Sequence, residues 1–377
     1  MVYLKLITRL KSVSYLGWRS RVIGAVVLAV ATVGMFLVGC SKATKPRPAK
    51  YNIYLGASYW KDSTDVNSLF SQMYVYDADS LTRLDSIPLP APSWEMAASP
   101  DGRWLYVSFG SVGDPQSQGN VIKINAITHQ TVWQSPDASF RIGLIKNGQL
   151  LVNGSRVLRT SDGTTVRRYN DSYTLGGGAP SGTKVALIAE ARVRIADVET
   201  GEISGDFGPN IGTGSDCPVY AATLHPDEER VIVIAVDTTN LSYWFVIGNV
   251  LTGETLLWDR MFSPNGQLEI SADGKTGVCT DPGRPFLEET PMGIDILDLA
   301  NCRPLKRLDY RNGLPVAASG QARFLPGDRR LVVAPRAGAA GGPLCIVNLE
   351  SLTVTDITLL SDRYVIKRSL GVGPRPD

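Results

Sequence analysis

Short stretches of alternating apolar and polar residues recur through most of the chain, and each stretch ends at Gly, Asp, Asn or Pro. Alternation with a period of two is typical of β-strands that bury one face. Few stretches show the longer period of an amphipathic helix. The pattern therefore predicts an all-β protein made of many short strands and tight turns.

Two kinds of strand–turn–strand unit alternate strictly along residues 51–371. The first kind has a turn rich in Gly, Asp or Pro and occurs at 96–108, 142–154, 177–189, 221–235, 269–280 and 322–334. The second kind occurs at 73–87, 121–134, 156–169, 193–207, 246–258, 294–308 and 345–357. One unit of each kind would form a four-stranded antiparallel sheet, so the chain reads as a series of such sheets.

A polar residue opens the turn of each unit of the second kind, and these residues are Asp77, Asn125, Thr160, Asp197, Asn249, Asp298 and Asn348. Their spacing is that of a four-stranded propeller blade rather than of a helical repeat. Asp and Asn at such positions bond their own backbone two residues on, and the Thr-Gly pairs at 200–201 and 252–253 provide a left-handed residue. Turn geometry therefore explains these residues, and the same reasoning removes Asp101 as a catalytic candidate.

The two ends of the chain complete the series. The first kind of unit is missing once, but residues 363–371 and 51–60 could pair to replace it. Such pairing would remove the exposed sheet edge that an open array leaves. The sequence thus predicts a seven-bladed β-propeller of four-stranded antiparallel blades over 51–371, closed by N- and C-terminal strands that share one blade, with a tail at 372–377.

Several of these stretches resemble known families. SPDGRWLYVS (99–108) and the strand–Asp–hairpin that follows it resemble the YVTN-type repeat of bacterial β-propellers. NVLTGETLLW (249–258) and ADVETGEISGDF (196–207) resemble the Asp-x-x-Thr-Gly-x-x-x-Trp repeat of quinoprotein-like propellers. The resemblance covers most of 51–371 and implies the fold; it selects no activity, because propellers serve as binding proteins, enzymes and scaffolds.

The N-terminus has the pattern of an export signal. Residues 1–21 hold five basic residues and no acid, and residues 22–39 are apolar and uncharged. Leu37-Val38-Gly39-Cys40 resembles the lipobox of bacterial lipoproteins, which implies a signal peptide at 1–39 and lipidation at Cys40. In that family Ser41 favours sorting to an outer membrane. A retained signal anchor is the alternative, since about 18 apolar residues approach the length that spans a bilayer.

Residues 40–50 are short, basic and Pro-containing, as expected of a flexible tether that holds a domain off a membrane. The predicted location is therefore lipid-anchored and extracytoplasmic, at the cell membrane or an outer membrane. Because five basic residues lie within 1–39, the formal net charge of +2 would become −3 after cleavage. Without a concentration of positive charge, a nucleic-acid partner is not expected.

Binding is expected where long connections lie, because variable loops on a rigid scaffold commonly carry function. The candidate ligand-binding residues there are Trp60, Trp94, Arg141, Asp216, Asp281, Arg284, Glu288 and Arg336. Arg284 could clamp a carboxylate or phosphate, or pair with neighbouring acids in a solvated loop. Trp94 could stack on a ligand or pack between blades.

Catalytic parts are few. The two histidines lie in turns without metal-ligand spacing, and no haem-attachment motif is present, so no metal or cofactor is predicted. Gly176-Gly177-Gly178 lacks the Lys-Ser/Thr and helix of a phosphate cradle and is interpreted as a blade-entry loop. Cys217 and Cys279 are both placed near the long-loop face of adjacent blades, which predicts a disulfide between them.

The leading functional hypothesis is a membrane-anchored binding or scaffold module for a protein or glycan partner. Two alternatives remain open. One is a lactonase or lyase that uses carboxylates of Asp216, Asp281 or Glu288 at the central channel. The other is a redox subunit that presents the propeller to a haem-carrying partner.

Overall fold

The computed structural model describes residues 50–60, 69–110, 119–138, 141–170, 174–210, 217–237, 242–261, 267–281, 293–315, 320–327, 329–334, 343–359 and 367–376. They fall within one unit, Lys50–Asp377. The expected signal peptide at 1–39, Cys40 and nearly all of the tether lie outside the described residues. No helix in the described part of the chain has the length and apolar character needed to cross a membrane.

Strands make up most of the described chain. In the first half they are β1 (Tyr51–Trp60), β2 (Leu69–Asp77), β3 (Arg83–Leu89), β4 (Ser93–Ala98), β5 (Trp104–Phe109), β6 (Gly119–Asn125), β7 (Thr131–Ala138), β8 (Ile142–Ile145), β9 (Leu150–Asn153), β10 (Arg156–Arg159), β11 (Thr165–Arg168), β12 (Thr174–Gly178), β13 (Lys184–Ala189), β14 (Arg192–Asp197) and β15 (Ile203–Phe207). In the second half they are β16 (Val219–Leu224), β17 (Arg230–Asp237), β18 (Ser242–Asn249), β19 (Thr255–Met261), β20 (Leu268–Ile270), β21 (Thr276–Asp281), β22 (Gly293–Asp298), β23 (Arg303–Asp309), β24 (Gln321–Phe324), β25 (Arg330–Ala334), β26 (Pro343–Asn348), β27 (Thr353–Leu359) and β28 (Lys367–Pro374). Two single turns of 3₁₀-helix lie at Lys146–Gly148 and Tyr310–Asn312. The all-β prediction is confirmed.

The strands form five four-stranded sheets and one eight-stranded sheet within the described residues. The strand orders are β28-β1-β2-β3, β4-β5-β6-β7, β8-β9-β10-β11, β20-β21-β22-β23, β24-β25-β26-β27 and, for the large sheet, β15-β14-β13-β12-β16-β17-β18-β19. Within each four-strand set all neighbouring strands are antiparallel, and each set follows the chain in order except where β28 joins β1. These are the strand–turn–strand units that the sequence predicts.

The eight-stranded sheet differs from the expected separate blades. Its two antiparallel halves meet at a single parallel pair, Gly177 with Thr223, between β12 and β16. A Cβ on Gly176 would overlap the backbone oxygen of Ala222, so only glycine permits this approach. Gly176, Gly177 and Gly178 therefore belong to β12 and to its contact with β16, and the blade-entry loop expected at these residues is wrong.

Seven strands form an inner ring. In the order β28, β4, β8, β12, β16, β20 and β24 each strand contacts the next, and β24 contacts β28 again. Hydrophobic cores fill the spaces between neighbouring sheets; Met73 and Ile87, for example, pack with Val107 and Ile122. The result is a β-propeller-like arrangement around a central channel, which is the space enclosed by these seven strands.

The two ends of the chain meet in one sheet, as predicted. β1 pairs antiparallel with β28 from Tyr51 opposite Pro374 to Ser58 opposite Lys367. β28 thus runs three residues beyond the expected end of the domain at residue 371. Arg375 then bonds the Asp77 carboxylate and donates to Asn52 Oδ1 at 3.1 Å. The C-terminus is therefore fixed to the start of the domain by both backbone and side-chain contacts.

The turns have the predicted geometry. Asp77 Oδ1 accepts bonds from the backbone N–H groups of Asp79 and Ser80 at 2.8 Å. The same pair of bonds recurs at Asn125, Asp197, Asn249 and Asn348. Asp298 Oδ1 accepts one such bond, from the backbone N–H of Asn301 at 3.1 Å, and the Thr160 hydroxyl instead donates to the carbonyl of Gly148 at 2.8 Å. These side chains are therefore occupied by their own turns.

Candidate functional site

The central channel contains a cavity of about 920 Å³. Its walls are residues of the inner strands and of the turns that follow them, including Glu95, Arg141, Gln267, Glu269 and Arg323. A cavity of this size falls within the range of about 300–1,000 Å³ typical of small-molecule sites. The channel therefore has room for a small ligand.

Arg323 on β24 is the centre of a charged cluster on the channel wall. Its Nη2 atom bonds the Glu95 carboxylate of β4, and its Nη1 atom donates to Glu269 Oε2 of β20 at 3.1 Å. Nη1 also lies 3.3 Å from Gln267 Oε1. The second oxygen of Glu95, Oε2, accepts from the backbone N–H of Ile142 at the start of β8, at 3.2 Å. We call Glu95, Gln267, Glu269 and Arg323 the channel cluster.

The channel cluster joins strands that are not neighbours. Between β4 and β24 lies β28 in the inner ring, so the bond from Arg323 to Glu95 passes beside the strand that closes the ring. Only 12% of the Arg323 side chain and 9% of the Glu95 side chain are exposed. Because a buried charge is costly without a partner, each of these groups depends on the other.

Glu269 differs from Glu95 in its surroundings. Burial raises the pKa of the Glu269 carboxyl, the positive charge on Arg323 opposes that shift, and the Glu95 carboxylate adds to it. For Arg323, burial alone would lower the pKa, but Glu269 and Glu95 outweigh it and hold the pKa above its ordinary value. A carboxyl group with a raised pKa beside a charged partner in a cavity is a common feature of functional sites.

No cluster of three or more His, Cys, Asp or Glu residues suited to a metal ion occurs in the described residues. The carboxylates of the channel cluster are instead occupied by Arg323 and by the Ile142 N–H. The cluster can therefore donate and accept hydrogen bonds and carry a proton at Glu269.

Four of the predicted binding residues lie in the described part of the chain. Trp94 is buried in β4, where its ring lies against Gly119 of its own sheet, so it packs inside the protein rather than stacking on a ligand. Trp60 ends β1 and Asp281 ends β21, opposite Leu69 and Gly293. Arg141 lines the cavity. Asp216, Arg284, Glu288 and Arg336 lie outside the described residues.

The predicted bridge between Cys217 and Cys279 does not form, since both are thiols in the structure. Cys217 packs with Val231 and Val233, whereas Cys279 packs with Ile232 and Ile234. Successive residues of β17 point to opposite faces of its sheet. The two cysteines therefore lie on opposite sides of that sheet and cannot meet.

Asp101 has the structural role that the repeat comparison assigns to it. Its Oδ1 accepts from the Ser99 hydroxyl at 2.5 Å and from the Arg103 N–H at 3.1 Å. Burial alone would raise the pKa of Asp101, but these bonds outweigh it and lower the pKa. Gly102 has a φ of 72°, as the turn requires.

Sequence reasoning missed Glu95, Gln267, Glu269 and Arg323. The available signal was a charged residue inside a short strand, as in EISADG and ARFLPG, at a position where the alternating pattern predicts burial. Taken one at a time in the sequence, such residues are interpreted as solvent-exposed positions on a strand edge. Their convergence depends on closure of the inner ring, which brings together residues as far apart in sequence as Glu95 and Arg323.

Comparison with known proteins locates the fold. No family model matches the chain, and no curated protein matches it in sequence. Among solved structures, a chain of the hydrazine synthase of Kuenenia stuttgartiensis aligns with a TM-score of 0.51 and 15% identity, covering 74% of this chain and 86% of that one. The shared feature is the β-propeller fold. At this identity the likeness concerns the fold alone.

A second neighbour is the dihydro-heme d1 dehydrogenase NirN, whose structure was solved in complex with DHE. It aligns with a TM-score of 0.47 and 13% identity, over 81% of this chain and 64% of that chain. This chain thus spans less than two thirds of NirN. In all, 874 chains of solved structures match this propeller, so the likeness singles out no activity.

Proposed function

We propose that this protein is a membrane-tethered, extracytoplasmic propeller that binds a protein or glycan partner through its long-connection face. That face is the end of the sheets where the second strand of each set is connected to the third and one set is connected to the next. The supporting observation is the inequality of the two ends of the propeller. One end consists of short turns whose polar groups bond one another, and the other bears connections of very different lengths.

The short-turn end has few groups left for recognition. Asp77, Asn125, Asp197, Asn249 and Asn348 each accept two backbone bonds within their own turn. At the other end, β9 and β10 are joined across residues 154–155 alone, whereas β21 and β22 are separated by residues 282–292. Uniform short turns serve folding, and connections of variable length on a rigid scaffold are the usual place for binding.

We further propose that the propeller has seven blades. The two antiparallel halves of the eight-stranded sheet would each be one blade, which brings the total to seven with the five separate sheets. The single parallel pair between Gly177 and Thr223 is then a local contact of two inner strands rather than an extension of the sheet. The sevenfold occurrence of the second repeat unit supports this interpretation.

The tether rests on the sequence pattern that ends at Cys40. Labelling with radioactive palmitate tests it directly, in cells that express either the wild-type chain or the Cys40→Ala variant. We expect label and membrane association in the wild type and loss of label in the variant. Equal labelling of the two chains would contradict lipidation at Cys40, and an unlabelled wild type that is still recovered in membranes would favour a retained signal anchor.

Partner binding is tested by chemical cross-linking in whole cells, followed by affinity capture of the full-length tagged chain. The control is the same chain with Arg284, Glu288 and Arg336 changed to Ala, since these residues lie in long connections. We expect one partner to be captured by the wild type and depleted in the variant. Capture that is the same for both chains would contradict binding through this face.

A second candidate function has support from the channel cluster. Glu95 and Glu269 converge on Arg323 in the cavity, and the pKa of Glu269 is raised. A carboxylate-based lactonase or lyase needs such a pair, with one group able to hold a proton at neutral pH. The pair of acids that the described part of the chain brings together in the cavity is Glu95 and Glu269.

The enzyme hypothesis is tested by following acid release from sugar lactones and aliphatic lactones in a pH-stat. The Glu269→Gln variant preserves the shape of the side chain and removes the proton site. If the hypothesis is correct, turnover by the wild type falls about 10²-fold or more in the variant. Absence of turnover by the wild type, or equal turnover by both, would leave the binding function as the account of this protein.

A further inference from the structure

Gly143 of β8 lies on the channel wall, and neither backbone conformation nor packing requires a glycine there. Its φ is not among the positive values of the described glycines, and a Cβ built on it would meet no atom within 4 Å. Glycine within a strand is destabilising relative to alanine because it loses more conformational freedom on folding. The effect of glycine at this position is therefore to leave space open in the cavity.

Gly143 belongs to one layer of the inner ring. Each inner strand leads into a short turn, and the layer is the residue five positions before the same turn position in each repeat. These cavity-lining residues are Ala97, Gly143, Gly177, Thr223 and Glu269. The pairing of Gly177 with Thr223 places two of them side by side, and Arg323 joins the layer through its bond to Glu269. At this layer, the three adjacent strands β4, β8 and β12 thus contribute no side chain larger than a methyl group.

The cavity accordingly has two unlike walls. The wall of β4, β8 and β12 carries only Ala97, Gly143 and Gly177 at this layer, and the wall of β20 and β24 carries Glu269 and Arg323. Within the described residues, β8, β20 and β24 each pair with a single strand, which leaves the N–H and C=O groups of their other edge toward the channel. Such a surface offers donors and acceptors in alternation.

The charged side chains of the channel cluster are bonded to one another. Arg323 is bonded to Glu95 and Glu269. Toward the short-turn end, Lys275 lies 3.9 Å from Asp273, and Arg329 bonds Glu350. A charged ligand at the channel cluster would have to separate its buried pairs or enter without a counter-ion, and either is costly. An uncharged ligand that forms hydrogen bonds avoids that cost.

We propose that the channel binds an uncharged, hydroxyl-rich small molecule of the sugar class, seated against Gly143 and Gly177 and hydrogen-bonded to Gln267 and Glu269. A hydroxyl group both donates and accepts, so it matches strand edges and a carboxyl–amide pair equally well. This site is separate from the long-connection face and does not depend on the proposed partner.

The experiment is saturation-transfer NMR on the full-length protein in detergent micelles, followed by isothermal titration calorimetry. The probes are D-glucose and D-galactose as neutral sugars, D-gluconate as an anion and D-glucosamine as a cation. The Gly143→Phe variant fills the open space, and Gly143→Ala adds only a methyl group at the same position. Thr165→Phe places the same ring on the exposed outer strand of the same sheet, away from the cavity.

We expect saturation transfer to a neutral sugar with the wild type and Thr165→Phe, at least tenfold weaker binding with Gly143→Phe, and a smaller loss with Gly143→Ala. Far-ultraviolet circular dichroism of each variant establishes that it is folded. Absence of transfer to both neutral sugars, or equal binding by folded Gly143→Phe, would overturn the proposal. Stronger binding of gluconate or glucosamine that Gly143→Phe abolishes would overturn the assignment of an uncharged ligand.

Discussion

Arg323 is the residue on which the charge balance of the channel depends. It bonds the carboxyl groups of both Glu95 and Glu269, and it links β24 to β4 and β20. Buried ion pairs contribute little net stability compared with apolar packing, but removing one partner leaves an uncompensated charge. The position is therefore sensitive to substitution whether or not the channel binds a ligand.

Arg323→Met should lower the free energy of unfolding at pH 7 by about 3 kcal/mol, because it leaves Glu95 buried without its partner. Chemical denaturation with guanidinium chloride measures this change. Arg329→Met is the matched control, since the Arg329–Glu350 pair is largely exposed and its loss should cost no more than about 1 kcal/mol. Equal effects of the two substitutions would show that the channel cluster has no special role.

The raised pKa of Glu269 predicts a pH dependence of stability. The folded state binds the proton of this carboxyl more tightly than the unfolded state does, in which the pKa of the carboxyl is near 4.5. Stability from this group is therefore full below that value and is lost as pH rises through the folded pKa. We expect Glu269→Gln to gain stability relative to the wild type as the pH is raised from 4.5.

Unfolding experiments at a series of pH values measure this difference between Glu269→Gln and the wild type. The pKa of Asp77 is lowered from 3.8 to about 2, the opposite direction. Its contribution to stability is therefore present above pH 3.8 and is lost as the pH falls toward 2. The two effects therefore occupy different pH ranges. A difference between the two chains that is constant with pH would contradict the raised pKa.

The residue-scale predictions from sequence succeeded where local geometry decides the role. An Asp or Asn that opens a turn bonds the backbone two and three residues on, as at Asp77, and this needs no knowledge of the rest of the fold. The channel cluster could not be predicted in this way. Glu95 and Arg323 meet only because the inner ring closes, and nothing local distinguishes them from solvated charges on a strand edge.

At the scale of elements, the contact between β12 and β16 depends on glycine. Gly176 allows the backbone of Ala222 to approach, and Gly177 pairs with Thr223. The three successive glycines were visible in the sequence, but their meaning was not, because glycine marks turns and close approaches alike. The sequence also did not show on which face of a sheet each cysteine lies. Cys217 packs on one face of β17 and Cys279 on the other, so the two cannot form the predicted disulfide.

Gly176→Ala should destabilise the protein by about 1–3 kcal/mol, because the new Cβ would overlap the Ala222 carbonyl and overpacking has costs of this size. Gly143→Ala should instead be neutral or stabilising by about 0.5–1 kcal/mol, since its Cβ meets open space. Thermal and denaturant unfolding of the two variants compare one chemical change at two inner strands. A loss of stability in Gly143→Ala as large as in Gly176→Ala would contradict the open channel.

At the scale of the whole molecule, closure depends on the pairing of the first and last strands. The sequence predicted it from the missing repeat unit, because a ring without that unit would leave an exposed edge. β28 is also a member of the inner ring and contacts both β4 and β24. The last strand therefore contributes to the sheet, to the ring and, through Arg375, to the start of the domain.

Truncation before Lys367 should prevent formation of a soluble monomer, because it exposes the edge of β1 and opens the inner ring. The control truncation after Arg375 preserves β28 and the bonds to Asn52 and Asp77. Size-exclusion chromatography of the two chains, expressed in parallel, distinguishes these outcomes. A monomeric, cooperatively unfolding chain without β28 would show that closure is not required.

We propose that the two ends of the propeller have different roles, with recognition on the long-connection face and folding at the short-turn end. Ile127 and Leu251 are exposed to 55% each in short turns, and Ile127→Asp with Leu251→Asp alters that end. Arg284→Glu with Arg336→Glu alters the other. The decisive measurement is the dissociation constant of each double variant for the partner captured by the wild type. We expect at least tenfold weaker binding for Arg284→Glu with Arg336→Glu and unchanged binding for Ile127→Asp with Leu251→Asp. The reverse result would contradict recognition through the long-connection face.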